Sequence, residues 1–259
     1  MNAPREPKAP HTALCHYTTQ AVYYRDDDLV GDLLGQAGFV DVFMKQTFGR
    51  VPTAAERRIV DAVLVTLMEH GMTPSAIATR MVYASSPENL QAGVAAGLLA
   101  VASRFVGTME PAAGLLERIV AAGANGAAEA RNIARDFRAR REPVPGFGHH
   151  LHRPDDPRAI ALLKLAREVD THGPRCEALE RLAAEVDAAA GRHITINATG
   201  AVAAVLGDIG VPAGLMRGFA VLSRAAGLIA HIAEEQRTPS GRFIWDLVDR
   251  TMTPESVAD

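Results

Sequence analysis

The sequence predicts an all-α protein, and three observations carry that reading. Of 259 residues, 46 are alanine, while aromatic residues make up only 5%. Alanine is the strongest helix former, whereas strands favour aromatic and β-branched side chains. Apolar residues also recur at helical spacing, in segments bounded by Pro, Gly and capping residues. Finally, no strand pattern alternates with these segments, so a dinucleotide-binding or P-loop sheet is not expected. Gly146-Phe147-Gly148 lacks the third glycine and the βαβ frame of a dinucleotide fingerprint.

Each element has its local reason. Residues 1–13, with Pro4, Pro7 and Pro10 among charges, read as a tail. Tyr17–Tyr24 reads as a short strand or extended arm before a turn at Asp26-Asp27-Asp28. Leu29–Thr47 has helical spacing. Thr53, with Glu56 three residues on, forms a capping box for a helix that runs to Glu69-His70-Gly71. Pro74 starts the next helix, Ser86-Pro87-Glu88 opens an apolar one over Leu90–Arg104, and Pro111 starts another that ends near Gly123. Gly126–Arg141 is amphipathic, with Arg131, Arg135 and Arg138 on a solvated face. Further helices are expected over Pro157–Asp170, Arg175–Ala190, Ile194–Leu206 and Pro212–Glu235, with a short last element around Trp245. No repeat of 30–45 residues marks a solenoid.

Composition excludes several classes. A formal charge of −3 gives no broad case for nucleic acid or an anionic membrane. Cys15 and Cys176 are too few for a disulfide framework or a cysteine zinc site. The N-terminal residues carry no signal-peptide pattern, and apolar runs such as Gly93–Ala102 are too short to span a bilayer. A cytoplasmic setting is therefore expected.

The informative segment is Pro143–Arg158: sixteen residues with four Pro, two Gly, three His and two Arg. A long irregular loop inside a helical domain is commonly functional. His149, His150, His152, Arg153 and Arg158 suit an anion such as a polycarboxylate or phosphate, and a helix opening at Pro157 adds its N-terminal dipole. A solvated basic loop reads equally well. His70 ends a helix, where its local role is a C-terminal cap. Arg224 interrupts an apolar helix, so it must be paired or must bind an anion; His231 lies two turns on, on roughly the same face. No metal-ligand spacing and no G-x-S-x-G appears, and Cys176 has no His partner motif.

Val144-Pro145-Gly146-Phe147-Gly148-His149, followed by Asp156-Pro157-Arg158, resembles the citrate synthase signature P-G-[FY]-G-H…D-P-R. Other motifs follow in the family's order. They are Glu69-His70-Gly71 with Ser75, Arg104–Glu110, Asn197-Ala198-Thr199-Gly200, Gly210-Val211-Pro212, Leu222-Ser223-Arg224 with Ala230-His231, and Gly241-Arg242 to Trp245-Asp246. The resemblance covers roughly residues 22–250. The short length, and Phe105 where synthases place a catalytic His, resemble the citryl-CoA lyase branch, including the lyase module of ATP-citrate lyase.

This resemblance implies an all-α, citrate-synthase-like fold, dimeric or a higher homo-oligomer. A large domain (14–110 and 200–259) and a small mobile domain (111–199) would enclose the site. It implies a carbon–carbon lyase that cleaves a hydroxy-polycarboxyl acyl-CoA such as citryl-CoA to acetyl-CoA and oxaloacetate. Coenzyme A would be the acyl carrier, with no metal. His149 would polarise the substrate oxygen. Arg158 and Arg224 would clamp carboxylates, His70 would add a donor, and Arg242 would reach the partner's site. His150 stands where many relatives have Arg, and Gly146, Phe147 and Gly148 would approach the CoA portion. Thr199 stands where the family has its catalytic Asp, and a Thr hydroxyl has no accessible pKa for that work. Either another group (Glu110, His150 or a water) supplies the proton, or the chain acts on a different acyl-CoA or hydroxy acid, or it is a non-catalytic CoA or carboxylate binder.

Overall fold

The structure, a computed structural model, describes residues 11–102 and 107–252. Helices dominate these residues, as predicted. The chain forms two compact units, residues 1–58 and 59–259, and passes from one to the other within a helix.

In the first unit β1 (Cys15–Tyr17), β2 (Val22–Tyr24) and β3 (Asp27–Asp28) form an antiparallel meander. The turn falls earlier than the sequence placed it. Arg25 takes φ +53°, and Asp27 and Asp28 are already paired with β2. The helix expected over Leu29–Thr47 is broken. A π-helical turn (Leu29–Leu33) is capped by Asp28, whose carboxylate accepts from Val30 and Gly31 N–H. Gly35, at φ +77°, ends the turn, and α1 (Phe39–Phe48) follows. The predicted capping box opens α2 (Ala54–Met68): Thr53 N–H donates to Glu56 at 2.7 Å and Glu56 N–H donates to Thr53 Oγ1 at 3.2 Å.

The second unit holds the rest of α2 and nine more α-helices among its described residues. These are α3 (Pro74–Ser85), α4 (Leu90–Leu99), α5 (Met109–Ala121), α6 (Gly126–Arg140), α7 (Pro157–Glu168), α8 (Pro174–Ala190), α9 (Ala198–Asp208), α10 (Ala213–Glu235) and α11 (Gly241–Thr251). α9 is the hub. Ala198 and every residue from Gly200 to Gly207 are buried, and α5, α7, α8 and α10 pack around it. Small residues make this possible, because helix axes approach closely only where side chains are short. α3 and α4 meet in the same way: a Cβ added at Gly97 would lie 2.0 Å from Thr79 Oγ1.

Three expectations are corrected here. α4 ends at Leu99 rather than Arg104, because the ladder tightens to three-residue bonds at Ala100 and Val101. Arg104, Phe105 and Val106 lie outside the described residues. α9 begins at Ala198 rather than Ile194, because Ile196 bridges Phe147 and Asn197 caps the helix. Lastly, α10 has 23 residues and, by length and composition alone, is long and apolar enough to cross a membrane. Reading only uninterrupted apolar runs missed it, because Arg217, Arg224 and His231 divide it. Arg224, His231 and Glu235 lie on its buried face.

Candidate active site

A cavity of about 650 Å³ opens in the second unit where the end of α2, the start of α3, the 148–151 loop and the N-termini of α7 and α9 meet α10. His70, His149, His150, Arg158, Thr199 and Arg224 all line it. With Gly148, seven predicted site residues, spread over 155 positions of sequence, thus converge on one space.

The irregular loop before α7 is held by α7 itself. Asp156, fully buried, is the N-cap of α7 and accepts from Arg158 N–H at 3.0 Å, Arg158 Nε at 2.9 Å and Arg158 Nη2 at 2.8 Å. Its second oxygen also accepts from Ala198 N–H at 3.1 Å, the first residue of α9. One carboxylate therefore orients the Arg158 guanidinium and fixes two helix starts. Burial alone would raise the Asp156 pKa, but the hydrogen bonds from Arg158 and Ala198 hold it below the usual carboxylate value. Sequence reasoning did not single out Asp156. The signal was present as an N-cap residue directly before Pro157.

His149 Nδ1 accepts from two backbone amides, Leu151 N–H at 3.1 Å and His152 N–H at 2.9 Å. A neutral imidazole whose Nδ1 accepts carries its proton on Nε2. That Nε2–H lies 3.2 Å from Arg158 Nη2. Two donors side by side are satisfied by one anionic oxygen that accepts from both. Burial first, then the neighbouring His152, lowers the His149 pKa, Asp156 opposing, so the ring is a neutral donor at pH 7. The His70 ring stands 5.9 Å from that of His149 and 6.3 Å from that of His150. Burial, Arg158 and Arg224 lower its pKa as well.

Arg224 is buried, with 7% exposure, and its Nη1 has no hydrogen-bond partner. The Glu69 carboxylate is 3.7 Å away. Burial lowers the Arg224 pKa, and Glu69 offsets part of that. Behind Glu69 runs a chain of contacts that the sequence did not reveal. Glu69 Oε2 is 3.0 Å from His231 Nε2, and His231 Nδ1 accepts from Arg80 Nε at 3.0 Å. Arg80 also pairs with Glu235 at 2.9 Å and with Glu234. Glu235 in turn accepts from Ser240 and Gly241 N–H, at the start of α11. Arg224 and His231 do share the buried face expected from their spacing.

At position 199 every hydroxyl proton is committed. Thr199 Oγ1 donates to Asn197 Oδ1 at 2.7 Å, so its 2.7 Å contact with Thr108 is received from the Thr108 hydroxyl. Asn197 Oδ1 also caps Gly200 N–H, and its amide donates to the Gly148 carbonyl at 3.0 Å.

Of the three loop residues expected to meet CoA, only Gly148 borders the cavity. Phe147 is buried and bridges Ile196. Gly146, at φ +88°, packs on α9: a Cβ on Gly200 would stand 2.5 Å from the Gly146 carbonyl oxygen. Arg242 lies on α11, mostly exposed, paired with Asp246 at 3.0 Å and stacked over Trp245 at 5.2 Å. Glu110 pairs with Arg217 and does not line the cavity. His149, His152 and Asp156 each bring one ligand atom within 4.8 Å of the others. These atoms have other duties, since His149 Nδ1 accepts two amides and Asp156 holds Arg158. Cys176 is buried beside Asp208, and both effects push its thiol pKa up, away from nucleophilic use.

Residues 8–245 match the family model described as citrate synthase, C-terminal domain. The chain is 31% identical over 188 residues to "Putative citrate synthase 2" of Mycobacterium tuberculosis, covering 69% of this chain and 47% of that protein. It thus spans about half the length of the curated relatives it matches there. Among solved structures, the citryl-CoA lyase of Hydrogenobacter thermophilus superposes with a TM-score of 0.83 at 30% identity, over 97% of this chain and 96% of that one. The ATP citrate lyase of Methanothrix soehngenii, solved with citrate and coenzyme A, shares the fold with a TM-score of 0.76 at 19% identity, over 97% of this chain and 43% of that one. With the ordered motifs gathered around one cavity and the family model spanning most of its length, the chain belongs to the citrate synthase family.

Proposed function

We propose that this protein is a carbon–carbon lyase that cleaves a hydroxy-polycarboxyl acyl-CoA of the citryl-CoA type to acetyl-CoA and oxaloacetate. The observation that carries this reading is Arg224, a buried guanidinium with an unpartnered Nη1 on the wall of the cavity that also holds Arg158 and His149. A buried, incompletely paired cation calls for an anion. Arg158, which Asp156 orients, and the neutral His149 donor share that wall, and the three together suit carboxylates flanking a polarisable oxygen. Cleavage moves electrons from the breaking carbon–carbon bond to the thioester, while the hydroxyl becomes a carbonyl. The His149 Nε2–H and Arg158 stabilise charge on that oxygen. In this reading His70, neutral and lining the cavity, accepts the hydroxyl proton.

The carbon of the departing enolate must gain a proton. Thr199 has none to give, since its hydroxyl is committed to Asn197, and Glu110 is tied to Arg217 outside the cavity. His150, exposed on the cavity wall, and water are the remaining sources. Thr199 also favours a second reading, in which the site takes a related hydroxy acid or acyl-CoA whose cleavage needs no acid there, or binds such a ligand without turning it over. Arg242, exposed on α11 and paired there with Asp246, suits a homodimer in which it completes the partner's site.

Purified protein supplied with citryl-CoA, coupled to malate dehydrogenase and NADH, separates the readings. Steady oxaloacetate release is expected. Thermal stabilisation by citrate or CoA with no release at high enzyme concentration would favour the binding-module reading instead.

A further inference from the structure

Glu69 is the sole carboxylate side chain among the described residues that line the cavity, and the cavity's other charged groups are cationic. Its position needs explaining, because an anion on this wall repels the ligand that the rest of the wall attracts. It does not orient Arg224 through a hydrogen bond: the two groups are 3.7 Å apart and Arg224 Nη1 has no partner. It is held instead by its own backbone, with Oε1 accepting from His70 N–H at 2.8 Å and Gly71 N–H at 2.6 Å. Oε2 faces His231 at 3.0 Å. Burial raises its pKa, yet these amides and His231 hold it below the usual value, so it is ionised at neutral pH.

We propose that Glu69 is a specificity-determining residue, a built-in competing carboxylate that masks Arg224 in the empty cavity. This rests on the reading of the cavity as a carboxylate site. With Glu69 beside it, Arg224 offers little net attraction to a lone carboxylate. A ligand with several carboxylates, already pinned at Arg158 and His149, brings a second carboxylate to Arg224 at high local concentration and displaces the Glu69 interaction. Glu69 keeps its two backbone amides and its place 3.0 Å from His231 while Arg224 changes partner. The site thereby selects polycarboxylates over monocarboxylates.

The test is the Glu69→Gln variant, whose amide oxygen can still accept from His70 and Gly71 N–H, so the turn is preserved. Binding of citrate and of inorganic sulfate is measured by calorimetry at fixed ionic strength and pH 7.5, alongside acetate. Removing one like charge next to the ligand should tighten citrate and sulfate binding by about five-fold or more, and raise acetate binding relative to citrate. Adding Arg224→Gln to this variant should abolish the gain. Unchanged or weaker sulfate binding by Glu69→Gln overturns the proposal. If sulfate binding tightens while neither protein binds citrate, the masking role stands and the citryl reading fails.

Discussion

Thr199 bears most on the chemistry, because its hydroxyl proton is spent on Asn197. Thr199→Ala should therefore change citryl-CoA cleavage by less than about three-fold, whereas Thr199→Asp, which restores an ionisable group at the cavity wall, should raise it by roughly ten-fold or more, within the range typical of general acids. A steady-state comparison of the two variants checks this. Arg224→Gln should weaken citrate binding by roughly thirty-fold, the cost of removing one buried charge partner of an anion. Calorimetry reads that directly. Much of the site was legible at this scale. His149, Arg158 and Arg224 could be named because their motifs survive intact, and His70 because its segment stands in the family's order with Glu69 in place of an Asp; all four reach the cavity. Asp156, Glu69 and the Arg80–His231 chain were not. The chain through Arg80 joins residues as far as 155 positions apart, which no local pattern encodes, and Asp156, although its N-cap position was readable before Pro157, reaches α9 across 42 positions.

At the scale of elements, the site depends on where α9 starts. Asn197 caps that helix, receives the Thr199 proton and reaches the Gly148 carbonyl. Asn197→Ala should cost about 1 kcal/mol of stability and free the Thr199 hydroxyl, measurable by urea denaturation. Gly97→Ala should cost about 1–3 kcal/mol, because its Cβ would overlap Thr79 Oγ1 on the facing helix. Most helices could be read in the sequence from their caps and prolines. The misplaced boundaries, at α4, α9 and the segment before α1, share a cause. Apolar spacing extended beyond the point where a tertiary bridge delayed the start of a helix, or a tightened turn or a positive-φ glycine ended it.

For the whole molecule, the cluster of cationic groups makes stability depend on pH. His149 and His70 have folded pKa values below 6.5, so the unfolded chain binds more protons as pH falls. Their contribution is fully present above pH 6.5 and is lost below it. Asp156, depressed below 3.8, adds a further loss at lower pH. His193, whose pKa Asp187 and Asp155 raise, acts with the opposite sign, but it is one surface group against two in the cavity, so the ligand-free protein should show a falling Tm from pH 7.5 to 5.5, and sulfate should raise Tm more at pH 6 than at pH 8, since an anion favours charged imidazoles. Thermal scans across this range check both signs. The all-α class was plain from composition. The single space that joins α2, α3, α7, α9 and α10 was visible only through family resemblance, because periodicity says which face of a helix is buried and not what it is buried against.

In the proposed function this cavity receives a polycarboxylate through Arg158, His149 and Arg224. A crystal structure with citrate bound tests it most directly. One carboxylate is expected to accept from both His149 Nε2 and Arg158 Nη2, and another to sit on Arg224 Nη1 in place of the contact with Glu69. Citrate seated elsewhere, or an Arg224 that still faces Glu69 with the cavity filled, would contradict it.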